Sequence, residues 1–350
     1  MTEALLEAGG LVLGYRRGRR GVLRVSSELD LTVRAGQLVC LLGPNGAGKS
    51  TLLRTLAGMQ PALSGWIRLL GRDLAKLSPS ELARRVSVVL TEPMTTGNLT
   101  SRVLVSLGRY PYTDWTGRLS TEDWAKVDRA LEVLGAEALA ERPVAELSDG
   151  ERQKILIARA LAQEPRIMIL DEPTSFLDLP RRIEMLALLR ELVRSQGCSV
   201  ILATHHLDLA LHYADRLWLQ QIDGPFESGA PEDLALSGAL ERTFSSRDLR
   251  FDSERGEFRF ARRQGGQRIG LQGEGLPVVW TRHALERLGF EVTADLEGDR
   301  VRVVEAEGSN RWQWFFGERE GCEGSIESLT ARLSERPATP RAAVSTSSRQ

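Results

Sequence analysis

Cysteine is scarce: Cys40, Cys198 and Cys322 lie far apart, with no CxxC pair and no Cys/His cluster. That excludes a disulfide-stapled miniature and a structural zinc site, fits a reducing compartment, and leaves the three as inert core or surface thiols. Long apolar runs are missing too. The longest, such as Leu38–Leu42 and Met185–Leu189, fall far short of the roughly 20 residues of a membrane-spanning helix, so the chain is not expected to cross a bilayer. Net charge is nearly absent: 46 Lys and Arg stand against 47 Asp and Glu, leaving −1. No global field therefore gathers nucleic acid or anionic lipid, and any anion site has to be local. Met1 to Gly10 carries Glu3 and Glu7 and no basic stretch before an apolar region, unlike a secretory signal, so the expected home is the cytoplasm. What remains is an ordinary globular composition, 42% apolar and 27% charged over 350 residues, which predicts one large domain plus an appendage.

From Leu11 to about Arg250, short apolar segments alternate with amphipathic ones, the pattern of a largely parallel sheet wrapped by helices, hence an α/β domain over 1–250. Strands are expected at Gln37–Leu42, Val86–Leu90, Arg166–Leu170 and Cys198–Ala203, each ending in polar or glycine-rich residues where such sheets bind ligands. Helices are expected at Glu151–Leu161 and Arg182–Ser195, whose apolar stripes read as core. After Asp252 the pattern changes to a small α+β module over 251–337. Short strands are expected at Glu257–Arg263 and Gln267–Gln272, and Thr281 can cap a helix ending at Gly289. Val292–Leu296 and Val301–Glu305 flank a Gly-Asp turn, and a last helix runs from Ser325 to Glu335. Residues 338–350, rich in Pro, Ser, Thr and Arg without periodicity, are expected to be a disordered tail.

Gly43-Pro44-Asn45-Gly46-Ala47-Gly48-Lys49-Ser50-Thr51 fits the G-x-x-x-x-G-K-[ST] phosphate loop, placed between a strand and a helix as its mechanism requires. Glycines let backbone N–H groups approach phosphate oxygens, and the helix N-terminus adds its positive end. Lys49 can then reach the β and γ phosphates, Ser50 offers a hydroxyl to Mg²⁺, and Thr51 bonds the α-phosphate side of the nucleotide. Downstream, Ile167-Met168-Ile169-Leu170-Asp171-Glu172 delivers adjacent carboxylates to a strand end. Asp171 is expected to hold Mg²⁺ and Glu172 to act as general base on the attacking water.

With Leu147-Ser148-Asp149-Gly150-Glu151-Arg152-Gln153, Ser175-Phe176-Leu177-Asp178 and Thr204-His205 following in order, the chain resembles the ATP-binding subunit of an ABC transporter over roughly residues 9–245. The resemblance implies a P-loop NTPase fold with a helical subdomain at about 93–165. It implies a homodimer in which Ser148 and Gly150 of one copy close over the γ-phosphate held by the other. It further implies that Tyr15 stacks on adenine, although a lone tyrosine near a strand end also reads as a core or surface residue. By the same resemblance His205 contacts the γ-phosphate, and Asp178 lies at the dimer interface with Ser175 as its turn companion. A metal reading of His205-His206 is disfavoured because adjacent residues leaving a strand point to opposite sides. Two departures stand out: Glu92 replaces the glutamine that senses Mg²⁺ and water, and Asp149-Gly150-Glu151 replaces the commoner Gly-Gly-Gln. A carboxylate at 92 still offers oxygen to the ion but donates no hydrogen bond.

One cassette without a membrane segment implies separate partners. These are two permease subunits and, indirectly, a substrate-binding protein, with the chain held peripherally on the cytoplasmic face of the cell membrane. The stretches 98–111, 176–179 and 204–210 are similar to the importer branch that handles ferric siderophores, haem and cobalamin. Thr95–Tyr112 is the expected coupling surface, where Tyr110, Tyr112 and Trp115 either anchor the membrane partner or pack inside the helical subdomain. Rival readings are a soluble, non-transport ABC ATPase and a regulatory module. No basic stripe points to nucleic acid, and retention of Lys49, Asp171, Glu172 and His205 opposes a non-hydrolysing role. In the C-terminal module, Trp280, Trp312 and Trp314 read as core or as a binding surface.

Overall fold

The computed structural model describes residues 3–16, 21–90, 98–175, 177–222, 224–244, 249–252, 257–260, 267–306 and 308–334. Glu92, Phe176, the start of the expected coupling segment and the expected tail lie outside the described residues. The chain divides into two compact units, Met1–Arg259 and Phe260–Gln350. Among the described residues no helix is long and apolar enough to cross a membrane.

In the first unit, a six-stranded sheet runs Phe226–Gly229, Arg216–Gln220, Leu38–Leu42, Ser199–Ala203, Ile167–Asp171, Val86–Val89. All neighbours are parallel except the antiparallel edge strand Phe226–Gly229. Both faces of the central strands are covered, which is why they read as unbroken apolar runs. The strand period of two then sorts them. Leu38, Cys40 and Leu42 join Met168, Leu170, Val200 and Leu202 in one core, and Val39 and Leu41 join Ile167, Ile169, Ile201 and Trp218 in the other. Each such buried side chain contributes roughly 1.5–3 kcal/mol relative to exposure.

The second core is closed by a four-stranded antiparallel sheet, in the order Leu29–Arg34, Ala4–Val12, Ser64–Leu69, Arg72–Asp73, which the sequence reading did not anticipate. The first core is closed by helices, among them Ser101–Ser106, Thr121–Val133, Asp149–Ala162 and Leu179–Gln196. The Thr121–Val133 helix starts at a capping box of Ser120 and Asp123. Asp123 also pairs with buried Arg109, whose guanidinium lies 4.0 Å from the Tyr112 ring centre and donates to the Ala162 carbonyl at 2.7 Å. Tyr112 is thus half-buried, its hydroxyl donating to the Gln163 carbonyl, whereas Tyr110 and Trp115 are exposed.

The Phe260–Gln350 unit holds a five-stranded sheet, Glu291–Thr293, Arg268–Gln272, Arg300–Ala306, Ser309–Phe316, Arg319–Glu323. The first two pairings are parallel and the last two antiparallel. This corrects two expectations. Glu291–Thr293 and Arg300–Ala306 do not form a hairpin across Gly298-Asp299, because both pair with Arg268–Gln272. Thr281 does not cap a helix; it lies within Leu276–Arg287, fully buried, donating to the Pro277 carbonyl and accepting from the Trp312 indole N–H at 2.6 Å. Trp312 and Trp314 are core, while Trp280 is exposed. Thr281→Val leaves the indole N–H unpaired in an apolar interior, so this unit is expected to lose about 1–3 kcal/mol of stability and to unfold at a lower midpoint. An unchanged midpoint by calorimetry would show the bond to be dispensable.

Candidate active site

Three neighbouring parallel strands end level with one another: Ala203 is in register with Leu41 on one side and with Asp171 on the other. The phosphate loop, Asp171-Glu172 and Thr204-His205 leave these ends together. Residues from three distant stretches of sequence therefore face one place, the carboxyl edge where open parallel sheets bind ligands.

The loop's glycines have separate physical reasons. Gly46 and Gly48 adopt φ of 84° and 96°, which side-chain-bearing residues rarely do. A Cβ at Gly43 would sit 2.1 Å from the Gln220 carbonyl oxygen, and one at Gly48 would sit 2.4 Å from Val25 Cγ1. Gln220, almost fully buried on the adjacent strand, is thus a floor to the loop. It lies more than 170 residues downstream with no local motif, so sequence reasoning had no signal for it.

Gly48 caps the Lys49–Leu56 helix, which turns Lys49, Ser50 and Thr51 into the site. Lys49 Nζ donates to the carbonyls of Gly43 at 2.7 Å and Pro44 at 3.1 Å. Burial pulls its pKa below the ordinary lysine value, while Glu172 and Asp171 act to hold it up. Asp171 is buried, which pushes its pKa above the ordinary carboxylate range, opposed first by a hydrogen bond with the Ser50 side chain. Tyr15 is half exposed, and its hydroxyl lies 2.9 Å from Thr51 Oγ1, so it stands beside the loop.

Glu172 holds φ of 49°, a left-handed backbone that costs a non-glycine residue about 1–3 kcal/mol and is found disproportionately at working sites. Its N–H donates to the Ala203 carbonyl, and its carboxylate accepts from the Ser175 hydroxyl at 3.0 Å and lies 3.7 Å from His205 Nδ1. Ser175 therefore serves Glu172. Asp178 caps the Leu179–Gln196 helix through the Arg181 N–H. His205 and His206 do not diverge as expected: their ring centres are 3.9 Å apart. Burial, and secondarily His205, pull the His206 pKa below the ordinary histidine range. Among the described residues no cluster of three or more His, Cys, Asp or Glu is placed to hold a metal. Mg²⁺ asks for less: the hard oxygens of Ser50 and Asp171, already in contact, suit an ion that takes most of its ligands from water and phosphate.

Ser148 caps the Asp149–Ala162 helix in a capping box with Glu151, and Gly150 is buried behind it against Leu177 and Arg181. Glu151 also pairs with Arg142 at 2.9 Å, a partner that spacing along the chain did not reveal.

The family described as ABC transporter matches residues 26–175, and the one described as iron ABC transporter C-terminal domain matches residues 265–334. The achromobactin transport ATP-binding protein CbrD of Dickeya dadantii is 42% identical over 69% of this chain and 87% of its own length. The ferric enterobactin transport ATP-binding protein FepC of Escherichia coli is 36% identical over 72% and 92%. Among solved structures, a chain of an inward-facing ABC transporter described as of metal-chelate type superposes with a TM-score of 0.59 at 28% identity, covering 69% of this chain and 89% of its own.

Proposed function

This chain belongs to the ATP-binding proteins of ABC transporters, and we propose that it drives import of an iron–siderophore complex, or of cobalamin or haem, through separate membrane subunits. It is an ABC transporter ATPase, and cassettes of this family dimerise and pair with transmembrane subunits. The observation that carries the reading is the convergence of Lys49, Ser50, Asp171, Glu172 and His205 at level ends of three adjacent strands. The cargo class follows the named cargoes of the relatives, among them ferric enterobactin, together with the iron-transporter match in the C-terminal unit.

In this reading Lys49 leaves the Gly43 and Pro44 carbonyls for the β and γ phosphates, and the loop's backbone N–H groups line the rest. Ser50, Asp171 and Glu92 would hold Mg²⁺, which would supply positive charge against the phosphates. Glu172 takes a proton from the attacking water, and His205 orients that water against the γ-phosphate. Tyr15 is the adenine platform. Two copies pair head to tail, Ser148 and Gly150 of one meeting the γ-phosphate of the other, with Asp178 at the junction. The chain sits at the cytoplasmic face, held by two permease subunits that a substrate-binding protein feeds; nucleic acid is not a partner.

Leu99, Val103, Leu107 and Tyr110, all exposed on or beside the Ser101–Ser106 helix and the short turn after it, form the surface proposed for the membrane subunits. The test is to purify the chain with its membrane companions and add binding proteins loaded with ferric siderophore, haem or cobalamin. ATP turnover is expected to rise several-fold with one of the three. No stimulation by any of them would reject the cargo class.

A further inference from the structure

Glu151 touches the serine proposed to close over nucleotide, and both oxygens of its carboxylate are engaged. Oε2 accepts from the Ser148 N–H at 2.9 Å and from the Ser148 hydroxyl at 2.8 Å, while Oε1 accepts from Arg142 Nη1 at 2.9 Å. The Ser148 N–H first, and then its hydroxyl, hold the Glu151 carboxyl below its usual range, so it is ionised near neutrality. A serine hydroxyl has one proton to give. While that proton goes to Glu151 it cannot go to a phosphate oxygen, and a carboxylate in contact with the serine repels an arriving polyphosphate. Arg142 acts in the opposite sense, offering the counter-charge on the far oxygen. Its position is tied to another element: the Arg142 carbonyl accepts from the Ser101 N–H at 2.9 Å and the Ser101 hydroxyl at 3.1 Å, at the first turn of the Ser101–Ser106 helix. Val103 and Leu107 of the proposed membrane-subunit surface lie on or next to that helix.

We infer that Glu151 and Arg142 form an electrostatic latch on Ser148. The carboxylate restrains the hydroxyl in the separate chain, and Arg142, seated on the Ser101–Ser106 helix, draws the carboxylate away as two copies close over ATP. Both are positioning residues, acting on nucleotide only through Ser148. The latch rests on the reading that Ser148 meets the γ-phosphate of a second copy.

The experiment uses the full chain carrying Glu172→Gln and measures, by sedimentation, the Mg·ATP concentration that half-saturates pairing. Glu151→Gln keeps an acceptor oxygen for Ser148 and removes the charge, and is expected to lower that concentration about tenfold; Arg142→Ala is expected to raise it about tenfold. Combining the two is expected to cancel most of the Arg142→Ala defect, because no charge is left to neutralise. Added salt is expected to shrink the gap between Glu151→Gln and its parent. A residue that merely caps the helix predicts none of this charge dependence. Pairing of Glu151→Gln at its parent's ATP concentration, or at a higher one, overturns the latch. Failure of the Glu172→Gln parent itself to pair overturns the assignment of Ser148, and the latch with it.

Discussion

Replacing Glu172 by Gln is expected to lower ATP turnover by about 10²–10⁴-fold, the contribution of a positioned general base, while leaving nucleotide binding in place. The substitution preserves size and keeps an oxygen that can accept from Ser175, so the left-handed turn at 172 and its bond to Ala203 have no reason to change. What disappears is a group able to take a proton from water. With hydrolysis blocked and binding intact, Mg·ATP is expected to accumulate paired chains, visible as a shift to the dimer position in gel filtration. Turnover within a few-fold of the parent would remove Glu172 from the chemistry and leave its strained backbone unexplained.

Lys49→Met carries the second large effect, and it falls on binding. Methionine matches the length of the lysine stem but supplies no donor, and hydrogen bonds from a charged group are worth about 1.5–3 kcal/mol each. Losing two such contacts to phosphate is expected to weaken ATP binding at least about 100-fold in a fluorescent-nucleotide titration. The same change removes the cation beside Glu172 and buried Asp171, so Asp171 is expected to protonate more readily still. Binding within about tenfold of the parent would mean that loop backbone and helix dipole hold the phosphates without the ammonium.

The parts of the candidate site were legible because each of them is local. The phosphate loop, the apolar strand ending in two carboxylates and the Ser/Asp/Gly helix start announce themselves within ten residues or fewer, and the strand ends were placed to within a residue or two. What escaped reading was set by contacts distant in sequence. The antiparallel sheet of Ala4–Val12, Leu29–Arg34 and Ser64–Leu69 draws strands from separated stretches, two of them flanking the phosphate loop itself. Gln220 beneath the loop is joined to its partners only by the fold, and Arg142, nine residues before Glu151, stands at no spacing that marks a pair along one helix. In the C-terminal unit, Gly298-Asp299 carried a hairpin signal, yet Arg268–Gln272 inserts between the two flanking strands. Thr281 had the chemistry of a cap but is claimed by the Trp312 indole. The His205–His206 contact has another cause: the strand ends at Ala203, so side-chain alternation no longer applies at 205 and 206.

The joint between Ser101 and residue 142 is made by a main-chain carbonyl, not by the arginine's own side chain. Any amino acid except proline, since the residue 142 N–H donates to the Leu139 carbonyl, can keep the mechanical connection while changing the charge it presents to Glu151. The charge acting on Ser148 can therefore be changed at 142 and 151 without rebuilding the main-chain contact that joins residue 142 to the Ser101–Ser106 helix.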